Sequence, residues 1–218
     1  MTVRAVVLPG TPLLVPGAAG DTTVLNDTRA AALAALGRLV DGARAVQGDG
    51  TAPVVVVAPG PAPGPAPGPA PGSAPTRGPA RASLAAAGVA DAWLDTTWAV
   101  ATRPAARDCP VAGAAASVGL LALAGAGWTG PVDVVELDDA DAPAAHALGA
   151  RLARQGARLV VVHDPRAAAP DAVLAGFGAA PDAGHRHVAT GEYEQRRYEV
   201  RWYDDVAPCA PAGRSVSR

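Results

Sequence analysis

Three stretches of the chain carry side chains that could do chemistry together. The first is His163-Asp164, followed by Pro165 and Arg166. An imidazole beside a carboxylate can act as an acid/base pair or anchor a ligand in a pocket. The same two residues can equally close a sheet edge, with Asp164 bonding backbone amides in the turn at Pro165. The second stretch holds His185 and His187. Their i, i+2 spacing puts both on one face of a strand, which can chelate a metal. A third ligand would be a late carboxylate such as Glu192 or Glu194; exposed polar strand residues are the competing reading. The third stretch is the acidic run Asp138, Asp139 and Asp141. An EF-hand needs a longer pattern with a glycine and a terminal Glu, so a solvated loop that caps the helix from Ala142 onward fits better.

Other chemistries fail on context. Ser83 and Ser117 have no GxSxG setting. Gly125-Ala126-Gly127 follows a helix, whereas a dinucleotide fingerprint follows a strand and opens a helix. Cys109 and Cys209 form neither CxxC nor zinc spacing and read as reduced thiols.

The elements that must position these residues are legible from periodicity. Val3–Leu8, Val54–Val57, Pro131–Leu137 and Arg158–His163 are short, valine-rich and read as buried strands. Helices are expected over Thr28–Arg44, capped by Asn26 or Asp27, over Val111–Ala126 opened by Cys109-Pro110 and ended by Gly127, and over Ala142–Gly156. Ala80–Ala87 and Pro170–Phe177 read as short helices. Ala90–Thr102 alternates and reads as a strand. Gly184–Thr190 and Tyr193–Tyr203 read as two more, the second with Tyr198, Val200 and Trp202 on one face and Glu199 and Arg201 on the other. Its aromatic and Arg-rich make-up suits a binding edge or dimer interface, or an aromatic face packed on a helix. Fully apolar strands alternating with helices predict a three-layer α/β/α sandwich with a mostly parallel, mixed central sheet. In such sheets sites lie at the carboxyl ends of strands. Those ends are Pro9–Thr11, Ala58–Gly60 and His163–Arg166, so a shallow pocket with Thr11, His163 and Asp164 as its polar groups is expected.

The chain has 218 residues, enough for one domain with a full core. Residues 59–79 are a Pro/Gly/Ala-rich insertion with a GPAP repeat, expected to be a disordered surface segment. Isoleucine and lysine are absent, and all 18 basic residues are arginine, the signature of a GC-rich genome such as an actinobacterium's. A net charge of −2 and 4% aromatics leave nucleic acid binding without support. Prolines 9, 12 and 16 break any signal-peptide core, and no apolar run reaches membrane-spanning length. A cytoplasmic protein without membrane contact is expected, with a small-molecule or protein partner left open and a homo-oligomer compatible with the sequence.

The order of motifs resembles the class III extradiol ring-cleavage dioxygenase and Memo superfamily. AVVLPGTPLLVPG matches that family's strand and proline-rich turn of the type CPHPPLLVPE, and VLNDTRAAALAAL matches its L-x-D-x-x-R-A-A helix. Val54–Val57, Gly119–Trp128, Ala147–Ala153 and Leu159–Asp164 keep the family's order and spacing. The resemblance covers most of the chain outside the insertion and the last forty or so residues. It implies a non-haem Fe(II) site of two His and a carboxylate, open to a catechol and dioxygen, with a further His as acid/base. The first ligand position falls in Pro9-Gly10-Thr11-Pro12 and the second in Ala58–Gly60, and neither holds a His. Where Memo-like relatives carry SDxSH, the chain has His163-Asp164-Pro165-Arg166-Ala167. A non-catalytic binding or scaffold domain without a cofactor is therefore the first expectation. The second is a metal-dependent dioxygenase or hydrolase with relocated ligands (His163, His185, His187 and a Glu) and Fe(II) if the family activity is kept. The third is an α/β domain that binds a small anion at a helix N-terminus.

Overall fold

The computed structural model describes residues 2–20, 22, 24–45, 52–60, 77–103, 108–139, 142–179 and 186–205. In chain order the elements are β1 (Val3–Pro9), α1 (Asn26–Arg44), β2 (Val54–Pro59), β3 (Arg77–Pro79), α2 (Ala114–Gly125), β4 (Val132–Leu137), α3 (Ala142–Arg154), β5 (Arg158–His163), α4 (Ala169–Gly176), β6 (Arg186–Tyr193) and β7 (Arg196–Asp204). They form one seven-stranded sheet in the order β3-β4-β2-β5-β1-β7-β6. β4, β2, β5 and β1 are parallel neighbours, while β3, β7 and β6 run antiparallel.

The valine runs form the sheet centre because both of its faces are covered. Val6, Leu8, Val56, Val160 and Val162 pack with α1 and α2. The intervening Val7, Val55, Val57, Leu159 and Val161 pack with α3 and α4. Successive strand residues point to opposite faces, so burying both faces requires apolar residues at every position rather than at alternate ones. This is the α/β/α sandwich that the sequence predicts.

Several expected elements differ. Ala90–Thr102 is not a strand but two 3-10 turns, Asp91–Trp93 and Trp98–Thr102. Asp91 Oδ1 accepts hydrogen bonds from Ser83 Oγ and Leu84 N, and Asp95 Oδ1 accepts from Thr97 N. Such local bonds offer the backbone an alternative to a ladder. α1 begins at Asn26 after Leu25 in the left-handed region, with no side-chain cap, and Asn26 Oδ1 instead accepts from Arg29 Nη1. α2 starts later than Cys109-Pro110, because Val111 bridges Arg81 and Ala112 N donates to Arg81 O. Within the expected Ala80–Ala87 helix only Ala85–Ala87 turns, as 3-10. Residues 77–79 at the end of the proline-rich segment are β3, paired with β4 and held by an Arg77–Asp133 ion pair at 2.7 Å; residues 61–76 lie outside the described residues. The β6–β7 turn falls at Glu194 and Gln195, both with positive φ, without the Asn-Gly or Asp-Gly that usually marks such a hairpin. β7 lies between β1 and β6, so its Trp202 is not on a free edge; it packs under the Arg38 guanidinium of α1, 5.1 Å from the ring centroid.

Candidate functional site

The carboxyl ends of β1, β2, β4 and β5 meet along one edge of the sheet, and loops close that edge at close range. Gly10 N donates to His163 O at 3.0 Å, and Gly60 N donates to Leu137 O at 2.8 Å. Each bond carries the parallel ladder one residue past its strand. A Cβ at Gly10 would stand 3.1 Å from His163 O, and one at Gly60 only 2.7 Å from Asp138 Oδ1. Beyond β1, Thr11 Oγ1 accepts from Leu13 N and caps the 3-10 turn Pro12–Leu14. Arg29 fastens the loop from below. Its Nε donates to Leu14 O at 2.7 Å, and its Nη2 donates to Val24 O at 2.9 Å and Leu13 O at 3.2 Å.

Near two helix starts along this edge, among the described residues, the protein's own carboxylates accept backbone hydrogen bonds. Glu136, near the end of β4, accepts from Gly113 N at 2.7 Å, at the residue just before α2. Burial pushes the Glu136 carboxyl above its ordinary range, and the Gly113 bond opposes this. Asp139 Oδ1 accepts from Ala168 N at 2.7 Å and Ala169 N at 3.1 Å, so it caps α4 and not the helix directly after it. Helix N-termini attract anions, and at α2 and α4 these side chains take the place an external anion would have. At the start of α1 a cleft of about 200 Å³ is flanked by Asp27 and Glu192, which disfavour an anion there as well.

His163 ends β5 with its side chain on the α4 side. Its Nδ1 lies 3.4 Å from Asp171 Oδ2, an ion-pair separation, and Arg201 Nη2 of β7 lies 3.5 Å from Asp171 Oδ1. Interaction with His163 first, and with Arg201 after it, holds the Asp171 carboxyl below its ordinary range, against burial, which raises it. A carboxylate of this kind can orient an imidazole for proton transfer. Among the described residues, however, no hydrogen bond joins His163 to a serine, threonine or cysteine nucleophile. Asp164 Oδ1 accepts from Arg166 N at 2.9 Å, which is the turn-closing role. Asp171 and Arg201 escaped the sequence reading. The available signals were Asp171 in the first turn of a helix opened by Pro170, and Arg201 on the strand face otherwise buried through Tyr203.

The Asp171 pair has a pH signature. A carboxyl held below its unfolded value contributes stability that is complete above the ordinary carboxylate range and is lost as pH falls through the folded value. Asp171→Asn should therefore be less stable than the parent near neutrality, and the two should converge in acid, as pH falls below the ordinary carboxylate range and through the folded value. Because 44% of the Asp171 side chain is exposed, the neutral gap should stay within about 1 kcal/mol. Urea midpoints near neutrality and in acid check this, and a gap that does not narrow in acid would contradict it.

The alternative metal ligands do not converge. His187 Nε2 lies 2.8 Å from Asp204 Oδ2, and the ring stacks on Trp202 with centroids 5.5 Å apart. Glu192 is on the same strand but five residues on and on the opposite face, about 16 Å away at the rise of a strand. The two cannot share an ion. His185 and Cys209 lie outside the described residues, and Cys109 is a half-buried free thiol. Among the described residues no group of three His, Cys, Asp or Glu side chains is placed to hold a metal. The Fe(II) that the resemblance implies does not fit the donors at the carboxyl edge: residues 9–12 and 58–60 hold no imidazole, and His163 Nδ1 is turned to Asp171. Ser117 Oγ accepts from Ser83 N at 3.0 Å and donates to Ala112 O at 3.2 Å, a structural role. Among the described residues, no helix is long and apolar enough to cross a membrane.

The larger described cleft is elsewhere. It measures about 440 Å³ and opens at the amino-terminal edge of the sheet, between Arg4, Pro53, Arg158, Phe177 and Asp205. Neither cleft includes Thr11 or His163. In comparisons with known proteins, no family model matches the chain, and no curated protein or solved structure does.

Proposed function

We propose that the chain is a non-catalytic binding or scaffold domain that resembles the class III extradiol dioxygenase and Memo superfamily, with the metal-bearing edge closed from within. One observation carries this reading. At the two segments where the resemblance puts histidine ligands, the chain has no imidazole; instead Gly10 and Gly60 donate backbone hydrogen bonds to neighbouring strands, and a Cβ at Gly10 would press on the His163 carbonyl at 3.1 Å. A facial triad needs donors that converge with open positions between them. Here the edge is spent on loop closure, backbone hydrogen bonds to Glu136 and Asp139, and the His163–Asp171–Arg201 cluster.

The retained polar groups then act as structure. A domain of this kind works through surfaces and clefts, so ligands or partners are to be sought away from the carboxyl edge. Oxygen consumption tests the proposal. The full chain, supplied anaerobically with Fe(II) and then with catechol or protocatechuate in air, should consume oxygen no faster than Fe(II) and substrate without protein. Protein-dependent uptake with yellow ring-cleavage product would overturn it.

A further inference from the structure

We propose that the cleft at the amino-terminal edge of the sheet binds a small organic carboxylate, gripped by the Arg4 guanidinium over an apolar floor. The cleft lies on the edge opposite the one that sites in such sheets normally use, and its chemistry is independent of any family resemblance. Arg4 is in β1, Pro53 immediately precedes β2, and Arg158 opens β5, so three strand starts converge on it. Its volume of about 440 Å³ falls within the range typical of small-molecule sites.

Charge is unbalanced there. The cleft is lined by two guanidiniums and one carboxylate. The carboxylate, Asp205, is committed: both of its oxygens lie 2.8 Å from Arg158 Nη1, and Oδ2 also accepts from Thr2 Oγ1. Arg4 has no carboxylate within ion-pair distance among the described residues. Its Nη2 donates to Phe177 O, and its guanidinium stacks over the Phe177 ring, 4.7 Å from the centroid. Buried and without a hydrogen-bond partner among the described residues are Arg4 Nε and Arg158 Nε. Burial disfavours the charged form of Arg4; Asp205 opposes this from a distance, and Arg158 adds to it. Among the described residues the site therefore has one positive charge more than it has carboxylates. A carboxylate supplies one negative charge and two acceptor oxygens, in a planar geometry that suits a guanidinium.

The walls choose among anions. Pro53, Ala153, Ala157 and Phe177 present apolar surface beside the arginines. A compact apolar body gains from covering them, whereas inorganic phosphate offers no such body and brings more charge than the site lacks. The proposed ligand is thus a monocarboxylate with an aromatic or branched aliphatic body.

Benzoate is the probe, with benzamide as its neutral counterpart and inorganic phosphate as the body-less anion, each titrated calorimetrically into the full chain at constant ionic strength. Saturable binding of one benzoate per chain is expected, with benzamide and phosphate at least about tenfold weaker. Arg4→Gln should weaken benzoate by a similar factor. Ala153→Leu supplies a second variant, because Ala153 is an exposed position on α3 that accepts leucine without repacking the core. It should obstruct the cleft and weaken benzoate at least about tenfold, with an unchanged unfolding temperature in the absence of ligand. If Arg4→Gln fails to fold, Ala153→Leu decides. The proposal is overturned if benzoate does not saturate, if benzamide or phosphate binds as well as benzoate, or if Ala153→Leu binds it undiminished.

Discussion

Gly149→Ala should lower the unfolding free energy by about 2–3 kcal/mol, although alanine is favoured over glycine in a helix interior by about 1 kcal/mol. The reason is the contact between α3 and α4. A Cβ at Gly149 would come within 2.0 Å of Val173 O and 2.7 Å of Phe177 N. The clash is with backbone, which has no rotamer to change, so the helices must separate. The relation is reciprocal: a Cβ at Gly176 would stand 2.0 Å from His146 O. Gly176→Ala should be comparably destabilising, and the double variant should cost less than the sum because the first separation admits the second methyl. The consequence reaches the site edge, since α4 carries Asp171 and receives the Asp139 cap. Urea denaturation measures the loss. A Gly149→Ala chain as stable as the parent would mean that the two helices do not touch at these glycines.

Arg29→Ala is expected to cost about 3 kcal/mol, the loss of several charge-assisted hydrogen bonds together with carbonyls left unpaired. The guanidinium reaches Leu13 O, Leu14 O, Val24 O and Asn26 Oδ1, tying the loop after β1 to the first turn of α1. Burial pushes this guanidinium down from its ordinary pKa, so its charge is maintained at a cost that only these acceptors offset. Lysine has the charge but not the planar fork, and Arg29→Lys should recover less than half of the loss. Chemical denaturation of both variants tests this. A deficit below about 1 kcal/mol for Arg29→Ala would show that the loop is held by its prolines and apolar contacts instead.

The strands that carry the site were legible because burial on both faces leaves a plain imprint: Val54–Val57 and Arg158–His163 admit hardly any other reading. Helix bodies were legible for the same reason, while their starts were not. The cap of α4 comes from Asp139, 30 residues before Ala169, and the amide of Gly113, just before α2, is met by Glu136 from β4; no local pattern encodes such long-range contacts. Ala90–Thr102 misled because its alternation includes the buried Leu94 and Trp98, which two 3-10 turns, rather than a strand, bring to the core. His163 was found at the right edge, yet its partners Asp171 and Arg201 come from a helix and a strand that only the fold brings together. The amino-edge cleft was invisible for the same reason: Arg4, Arg158 and Asp205 are far apart in sequence, and the strand carboxyl ends pointed away from it.

Closure of the carboxyl edge by its own backbone and carboxylates has a plain test in the metal stoichiometry of the full chain prepared without a histidine tag. After incubation with Fe(II) or Zn(II) and removal of free ion, elemental analysis should find well under one metal per chain, the same in the parent and in His163→Ala. One tightly held metal per chain, lost in His163→Ala, would contradict that closure and return the carboxyl edge to metal chemistry.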